Sequence, residues 1–202
     1  FGPVNGAPNV SDSERGRRFG DIASFRDILK LTHTLGVLHW QGGIVVEPVD
    51  VPVPVRHLAA YRAHIECADI VWAARGVGGI QAEDAIAMSA IEHGCSIDDL
   101  AARPTLMTVT NVNSPRRVDE EILDNIMIMA RHGQCVVITP FTLMGAMAPI
   151  TLVGALVQVE AGQERAAGQC GGSSERRAIR GASRRLHLGK VDPHGAAIQV
   201  HS

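Results

Sequence analysis

The chain has no paired-cysteine spacing, no long apolar run and no dominant charge, and each lack removes a class of function. Its four cysteines, Cys67, Cys95, Cys135 and Cys170, never form a C-x-x-C pair, so neither zinc nor thioredoxin-type chemistry is signalled. Cys67 closes a helical pattern and Cys135 opens an apolar strand; both read as small buried hydrophobes rather than nucleophiles. Free thiols fit a reducing cytoplasm. The net charge of −2 offers no bulk electrostatic case for nucleic acid or an anionic membrane. No apolar run is long enough to span a bilayer. Nine histidines occur, but none in HxxxH or HxH spacing, so no metal site is expected. Gly76-Val-Gly-Gly79 follows an apolar run yet is not GxGxxG, and a dinucleotide site is not expected. The opening Phe1-Gly-Pro-Val-Asn5 lacks the basic and apolar regions of a secretory signal and does not begin with Met, which reads as a fragment or a processed chain.

What is present is an ordinary globular composition, 46% hydrophobic and 20% charged over 202 residues, enough for one domain with a core. The residues up to Asp12 carry turn chemistry. Asp21 then reads as an N-cap, apolar residues recur at mostly helical spacing to Leu35, and Gly36 is a stop. A short strand is expected at 37–40, closed by Gln41-Gly-Gly43. The Pro-rich run 47–54 suits neither helix nor central strand. Beyond it the pattern predicts a helix at 55–67, a strand at 69–73, a helix at 81–92 and a helical turn at 97–102. A strand at 105–110, a helix at 118–131 and a strand at 135–139 follow, then a helix from Pro149 past Gln158. The alternation predicts an α/β fold of about four βα units: half of a (β/α)8 barrel, with a flavodoxin-like open sheet as the alternative. From about Val159 the composition shifts to Arg, Gly, Ala, Ser and Gln. The net charge turns from −5 over 1–159 to +3 over 160–202. An irregular tail is expected there, since its scattered arginines without aromatics make a poor nucleic-acid arm.

In such barrels the loops after strand ends carry the chemistry. Asn111, Asn113, Ser114, Thr139 and Phe141 lie there, as do Trp40 and Gln41 after the first expected strand. Trp40 and Phe141 offer rings to a cation, against plain packing between helix and barrel. Asn111, Asn113 and Ser114 can orient a ligand, but they also make Asx turns before Pro115. Glu47 and Asp50 can balance a cation or simply be solvated loop residues. Trp72, inside a strand, reads as core.

Several collinear segments resemble the trimethylamine methyltransferase family of corrinoid-dependent methyltransferases. They are Gly2-Pro-Val-Asn-Gly-Ala-Pro-Asn-Val-Ser-Asp-Ser-Glu-Arg-Gly-Arg-Arg18, Gln41-Gly-Gly43 with Val46-Glu-Pro-Val-Asp50, Arg56-His-Leu58, Asn113-Ser-Pro115 and, most distinctively, Val137-Ile-Thr-Pro-Phe-Thr-Leu-Met-Gly-Ala-Met-Ala-Pro-Ile-Thr151. The resemblance covers about residues 2–158 and implies an internal piece of a (β/α)8 barrel in one-carbon metabolism, methanogenesis included. It implies methyl transfer from a tertiary or quaternary methylated amine to a corrinoid protein. Cobalamin would be carried by that partner and not bound directly by this chain. Under this resemblance Trp40, Gln41, Asn111, Asn113 and Phe141 are the substrate-binding candidates; no residue is singled out for catalysis. Family members continue to a Gly-Gly-Phe-Thr-Ser segment, and codons for Arg184-Arg-Leu-His-Leu188 encode it in a neighbouring frame. With the change in composition, this points to a partial-barrel domain over 1–158 and a frameshifted tail over 159–202. The competing reading is an inactive, incomplete barrel that folds poorly or only as a homo-oligomer.

Overall fold

The computed structural model describes residues 6–113 and 117–169, with side chains to residue 162. Ser114 and the tail beyond Gln169 lie outside the described residues. The chain opens with an antiparallel hairpin, β1 (Asn9–Asp12) and β2 (Gly16–Phe19). Turn chemistry alone was expected up to Asp12. The strands form because Asp12 Oδ1 accepts from Glu14 N and Arg15 N, and Gly16 takes φ +65° to close the turn.

Helix α1 (Ile22–Leu35) has its expected ends. Asp21 accepts from Ser24 N at 2.6 Å, and Gly36 caps the C-terminus at φ +64°. Phe25 and Leu29 on its buried face pack with Ile44, Val45, Val46, Ala60 and Ala63. The expected strand at 37–40 does not form. Its place is taken by a single parallel bridge between Gln41 and Trp72, because Gln41 N donates to Val71 O and Ala73 N to Gln41 O with no ladder to either side.

After a 3-10 turn at Val53–Val55 comes α2 (Arg56–Cys67). The rest alternates: β3 (Ala73–Ala74), α3 (Gly79–His93), α4 (Ile97–Ala102), β4 (Met107–Asn113), α5 (Glu120–Arg131), β5 (Cys135–Phe141) and α6 (Leu152–Gln169). β3, β4 and β5 form one parallel sheet in chain order, with Met107 opposite both Ala73 and Cys135. The sheet thus has three strands and one bridge, not four strands, and no barrel closes among the described residues. β3 is shorter than expected at 69–73. Helix α6 continues to Gln169, into the stretch where irregular chain was expected from about Val159.

The sheet has two unlike faces, as the two-residue period of a strand demands. Thr108, Thr110 and Val112 of β4 and Val136, Ile138 and Pro140 of β5 are buried. Val112, Val136 and Ile138 join Ile126 and Met129 of α5 and Ala82, Ala85 and Ile86 of α3 in the main core. Gly162 of α6 approaches Pro140 on this same face. The alternate residues, Met107, Val109, Asn111 and Asn113 with Cys135, Val137 and Phe141, are half-buried or exposed. His64 of α2 joins the two clusters, edge-on to Phe25 and stacked on Trp72.

Candidate functional site

The C-terminal ends of β4 and β5 bring four of the singled-out residues together. Asn111 lies in register with Thr139, and Asn113 with Phe141. Thr139 is buried; its hydroxyl lies 3.1 Å from Thr110 O and also hydrogen-bonds Asn111 Oδ1. Asn113 exchanges two backbone hydrogen bonds with Arg117, at 2.9 and 2.8 Å, so the chain folds back just beyond the strand. Phe141 is 47% exposed at the strand end, an arrangement that leaves part of a ring face open to a ligand. This edge therefore combines an aromatic ring and two neutral amides, with a buried hydroxyl under one of them. Cys135 sits at the other end of β5, where burial raises its thiol pKa and favours the inert neutral form.

Trp40 is half-buried and immediately precedes the Gln41–Trp72 bridge. Gln41 is a different case from the sequence expectation. It is fully buried; its Nε2 donates to Leu29 O at 3.3 Å, and its amide pairs with the Thr32 hydroxyl. Every polar atom of that side chain is hydrogen-bonded to helix α1, so in this structure Gln41 anchors the helix. Glu47 and Asp50 are likewise spoken for. Glu47 pairs with Arg56 at 3.0 Å and Arg75 at 3.4 Å, and Asp50 accepts from Ile22 N at 2.9 Å. Trp72 is core, as expected, with its Nε1 donating to Glu92 at 2.9 Å. Among the described residues no group of three or more His, Cys, Asp or Glu could hold a metal ion, and no helix is long and apolar enough to cross a membrane.

The structure adds a second feature that sequence reasoning missed, a cleft of about 590 Å³ next to the β3–α3 loop. Arg56 and His57 at the start of α2 line it with Glu47, Arg75 and the Gly78-Gly79 turn. The loop is held from several sides. Asn125 Nδ2 donates to Arg75 O at 2.9 Å and Gly78 O at 3.3 Å, Thr110 Oγ1 to Gly76 O at 2.9 Å, and Gly78 N to Glu121 O at 3.1 Å. Gly76 is required there, because a Cβ would lie 2.1 Å from Val109 O. Beneath the loop Tyr61 Oη accepts from Arg75 N at 3.0 Å; burial, the main cause, raises the Tyr61 pKa. His57 is tied to Asp84 at 2.7 Å. That pair is 27 positions apart, and no local spacing could have revealed it.

The model of the family described as Trimethylamine methyltransferase (MTTB) matches residues 1–167. The chain is also 31% identical over 156 residues to the glycine betaine methyltransferase of Desulfitobacterium hafniense (strain Y51), a match that covers 77% of this chain and 32% of the relative. The chain thus spans about a third of the length of that relative.

Proposed function

Because the chain belongs to the trimethylamine methyltransferase family, we propose that it supplies part of a (β/α)8 barrel that demethylates a methylated amine and passes the methyl group to a corrinoid-carrying partner protein. The observation that carries this reading is the family match over residues 1–167. The topology supports the barrel. From the Gln41–Trp72 bridge through β3, β4 and β5, neighbours in the chain are parallel neighbours in the sheet, and the helices pack on one face. A doubly wound sheet reverses its strand order and carries helices on both faces. The half-open face is then the future barrel interior, and the ends of β4 and β5 its catalytic rim. The domain division we propose is a partial barrel followed by a tail. Its boundary moves from 158 to the end of the family match at 167, within α6.

Phe141 is proposed to face the ammonium, with Asn111 and Asn113 orienting the rest of the substrate; Trp40, next to the Gln41–Trp72 bridge, lies level with the opposite, N-terminal ends of β4 and β5 and is left out of this site. A ring over such a cation contributes about 0.5–2 kcal/mol. The partner's corrinoid, when docked, supplies a cobalt nucleophile for in-line displacement at the methyl carbon. The residues of this chain supply position: they hold the ammonium so that one methyl group points out of the strand ends. The bonding pair of the broken C–N bond stays on nitrogen. At the moment of cleavage a quaternary substrate is left as an uncharged amine, which the Phe141 ring holds less tightly until the nitrogen takes up a proton from water.

The test uses an in-frame chain of the relative's full length. Methylation of a Co(I) corrinoid dependent on glycine betaine or a methylamine is the expected result. No transfer from trimethylamine, dimethylamine or glycine betaine would overturn the reading. The coverage of 32% of the relative favours a second statement, that the 202-residue chain alone transfers no methyl group. Measured turnover by the purified chain would overturn it.

A further inference from the structure

The cleft beside the β3–α3 loop lies at the same strand-end side of the sheet but is lined by none of the residues proposed above for the transfer. We propose that it binds a small amphipathic carboxylate, the anionic group between Arg56 and Arg75 and the apolar part along Val53, Val77 and Ile80. Charge comes first. Both arginines reach the same oxygen of Glu47, at 3.0 and 3.4 Å, so two guanidinium groups share one carboxylate and one positive charge is left over. Arg56 is held firmly, its Nε donating to Val51 O at 3.0 Å and its side chain only 15% exposed. Arg75 sits on the loop clamped by Asn125, Thr110 and Tyr61. A guanidinium carries five N–H donors, and the bonds to Glu47 and Val51 use few of them. Donors fixed in advance bind an oxyanion with little ordering cost.

The first turn of α3 adds in the same direction, having neither an acidic residue nor a side-chain cap. Glu121 and Asp124 of α5 also line the cleft. Both are exposed, so water and salt screen them more than the half-buried Glu47–arginine group. With them the arginine and carboxylate side chains of the lining sum to −1, so an anion is held by the two arginines at close range and not by the field of the whole cleft, and the site is assigned to a single carboxylate. The apolar part follows from Val53 and Ile80, 71% and 69% exposed on the cleft wall, with Val77 beside them. The volume of about 590 Å³ suits a small organic molecule.

The test is calorimetric titration of the 202-residue chain with octanoate below its micelle concentration, with acetate and octylammonium as controls. Octanoate is expected to bind saturably and at least tenfold more tightly than either control. Arg75→Gln should weaken it at least tenfold with an unchanged melting curve; if that variant melts early, Arg56→Gln is read the same way. Ile80→Ser should shrink the advantage of octanoate over acetate while leaving acetate unaffected. Equal binding of octylammonium, or binding indifferent to both arginine variants, would overturn the proposal, as would the absence of saturable octanoate binding. Phe141→Ala separates this cleft from the strand-end site. Octanoate binding lost in Phe141→Ala but kept in Arg75→Gln would place the ligand on the open sheet face and sink the inference, whatever the fate of the methyl-transfer reading.

Discussion

The two faces of the β3–β4–β5 sheet follow different rules. The helix-covered face buries Val112, Val136 and Ile138 against α3 and α5 and satisfies its polar groups internally: Thr108 donates to Asn125, and Thr110 to Gly76 O. The open face carries Val109, Asn111, Asn113, Val137 and Phe141, half-buried or exposed, with polar and aromatic groups crowded toward the C-terminal strand ends. The covered face holds the chain together, and the open one is available for chemistry. Substitutions should separate the two roles.

The largest effect belongs to the covered face. Ile126 is fully buried between sheet and helix. Ile126→Ala should cost about 2–5 kcal/mol of stability, the transfer loss plus the cavity. Val109→Ala on the open face should cost under about 1 kcal/mol, because the side chain is already partly in water. Urea denaturation of both variants checks this. Equal losses would mean that something in solution covers the open face as well as the helices cover the other.

Next comes a pH effect at the junction of the two cores. His64 Nε2 donates to Gly43 O at 3.0 Å, while its Nδ1 is buried with no partner. Burial, the largest cause, lowers its pKa from 6.5 to about 4, the hydrogen bond to Gly43 opposing it. The unfolded chain therefore takes up a proton that the folded chain refuses. Stability from this site is intact above pH 6.5 and is lost as pH falls toward about 4. The loss should total about 3 kcal/mol, at 1.36 kcal/mol per unit. His64→Gln, which keeps an N–H for Gly43, should flatten the stability profile over that window. A wild-type profile already flat there would refute the assignment.

Asn125 ties the covered face to the β3–α3 loop, and its loss should cost about 1–3 kcal/mol. It is fully buried, accepts from Thr108 at 3.1 Å and donates to Arg75 O and Gly78 O. Asn125→Ala leaves these partners without it. Amide hydrogen exchange at residues 76–79 should speed up before the global melting point falls. Unchanged exchange there would show that Thr110 and Glu121 hold the loop alone.

How much of this was legible in the residues varies with the range of the forces. Local chemistry spoke clearly: Asp21 and Gly36 bound α1, Gly94 and Gly133 close α3 and α5, and the apolar alternation of β4 and β5 marks strands. The strand expected at 37–40 does not form: the segment has a strand's composition but meets only Val71 and Ala73, through Gln41. Pairing is a property of the partner as well as the segment. Gln41 stood in a motif and at an expected strand end, yet its partner Thr32 lies nine positions back on a helix. Glu47 and Asp50 seemed free for the same reason, with Arg75 and Ile22 each 28 positions away. The cleft arises from three such distant segments and had no local signature. The ends of β4 and β5 were readable because register alone brings Asn111, Asn113 and Phe141 together.

The smallest effects on stability should be the most telling on function. Phe141 is 47% exposed and Trp40 half-buried, so neither ring is central to the core. Truncating Phe141 to Ala should move the unfolding free energy by less than about 1 kcal/mol, since much of its apolar surface is already in water. If its ring faces the substrate ammonium, the same change in the full-length in-frame enzyme removes a cation–π contact of about 0.5–2 kcal/mol. At 1.4 kcal/mol per tenfold, that is a loss in affinity of about two- to thirtyfold. Trp40→Ala, whose ring lies level with the other end of the sheet, should leave betaine binding unchanged. A neutral isostere of the substrate, with carbon in place of the ammonium nitrogen, should lose nothing in either variant. The measurement is titration of glycine betaine and its isostere into each variant, beside its unfolding curve. Binding of betaine that is indifferent to Phe141→Ala would remove that ring from the site. A loss shared equally by the neutral isostere would make the Phe141 ring a packing surface, and the open face would differ from the covered one only in being unfinished.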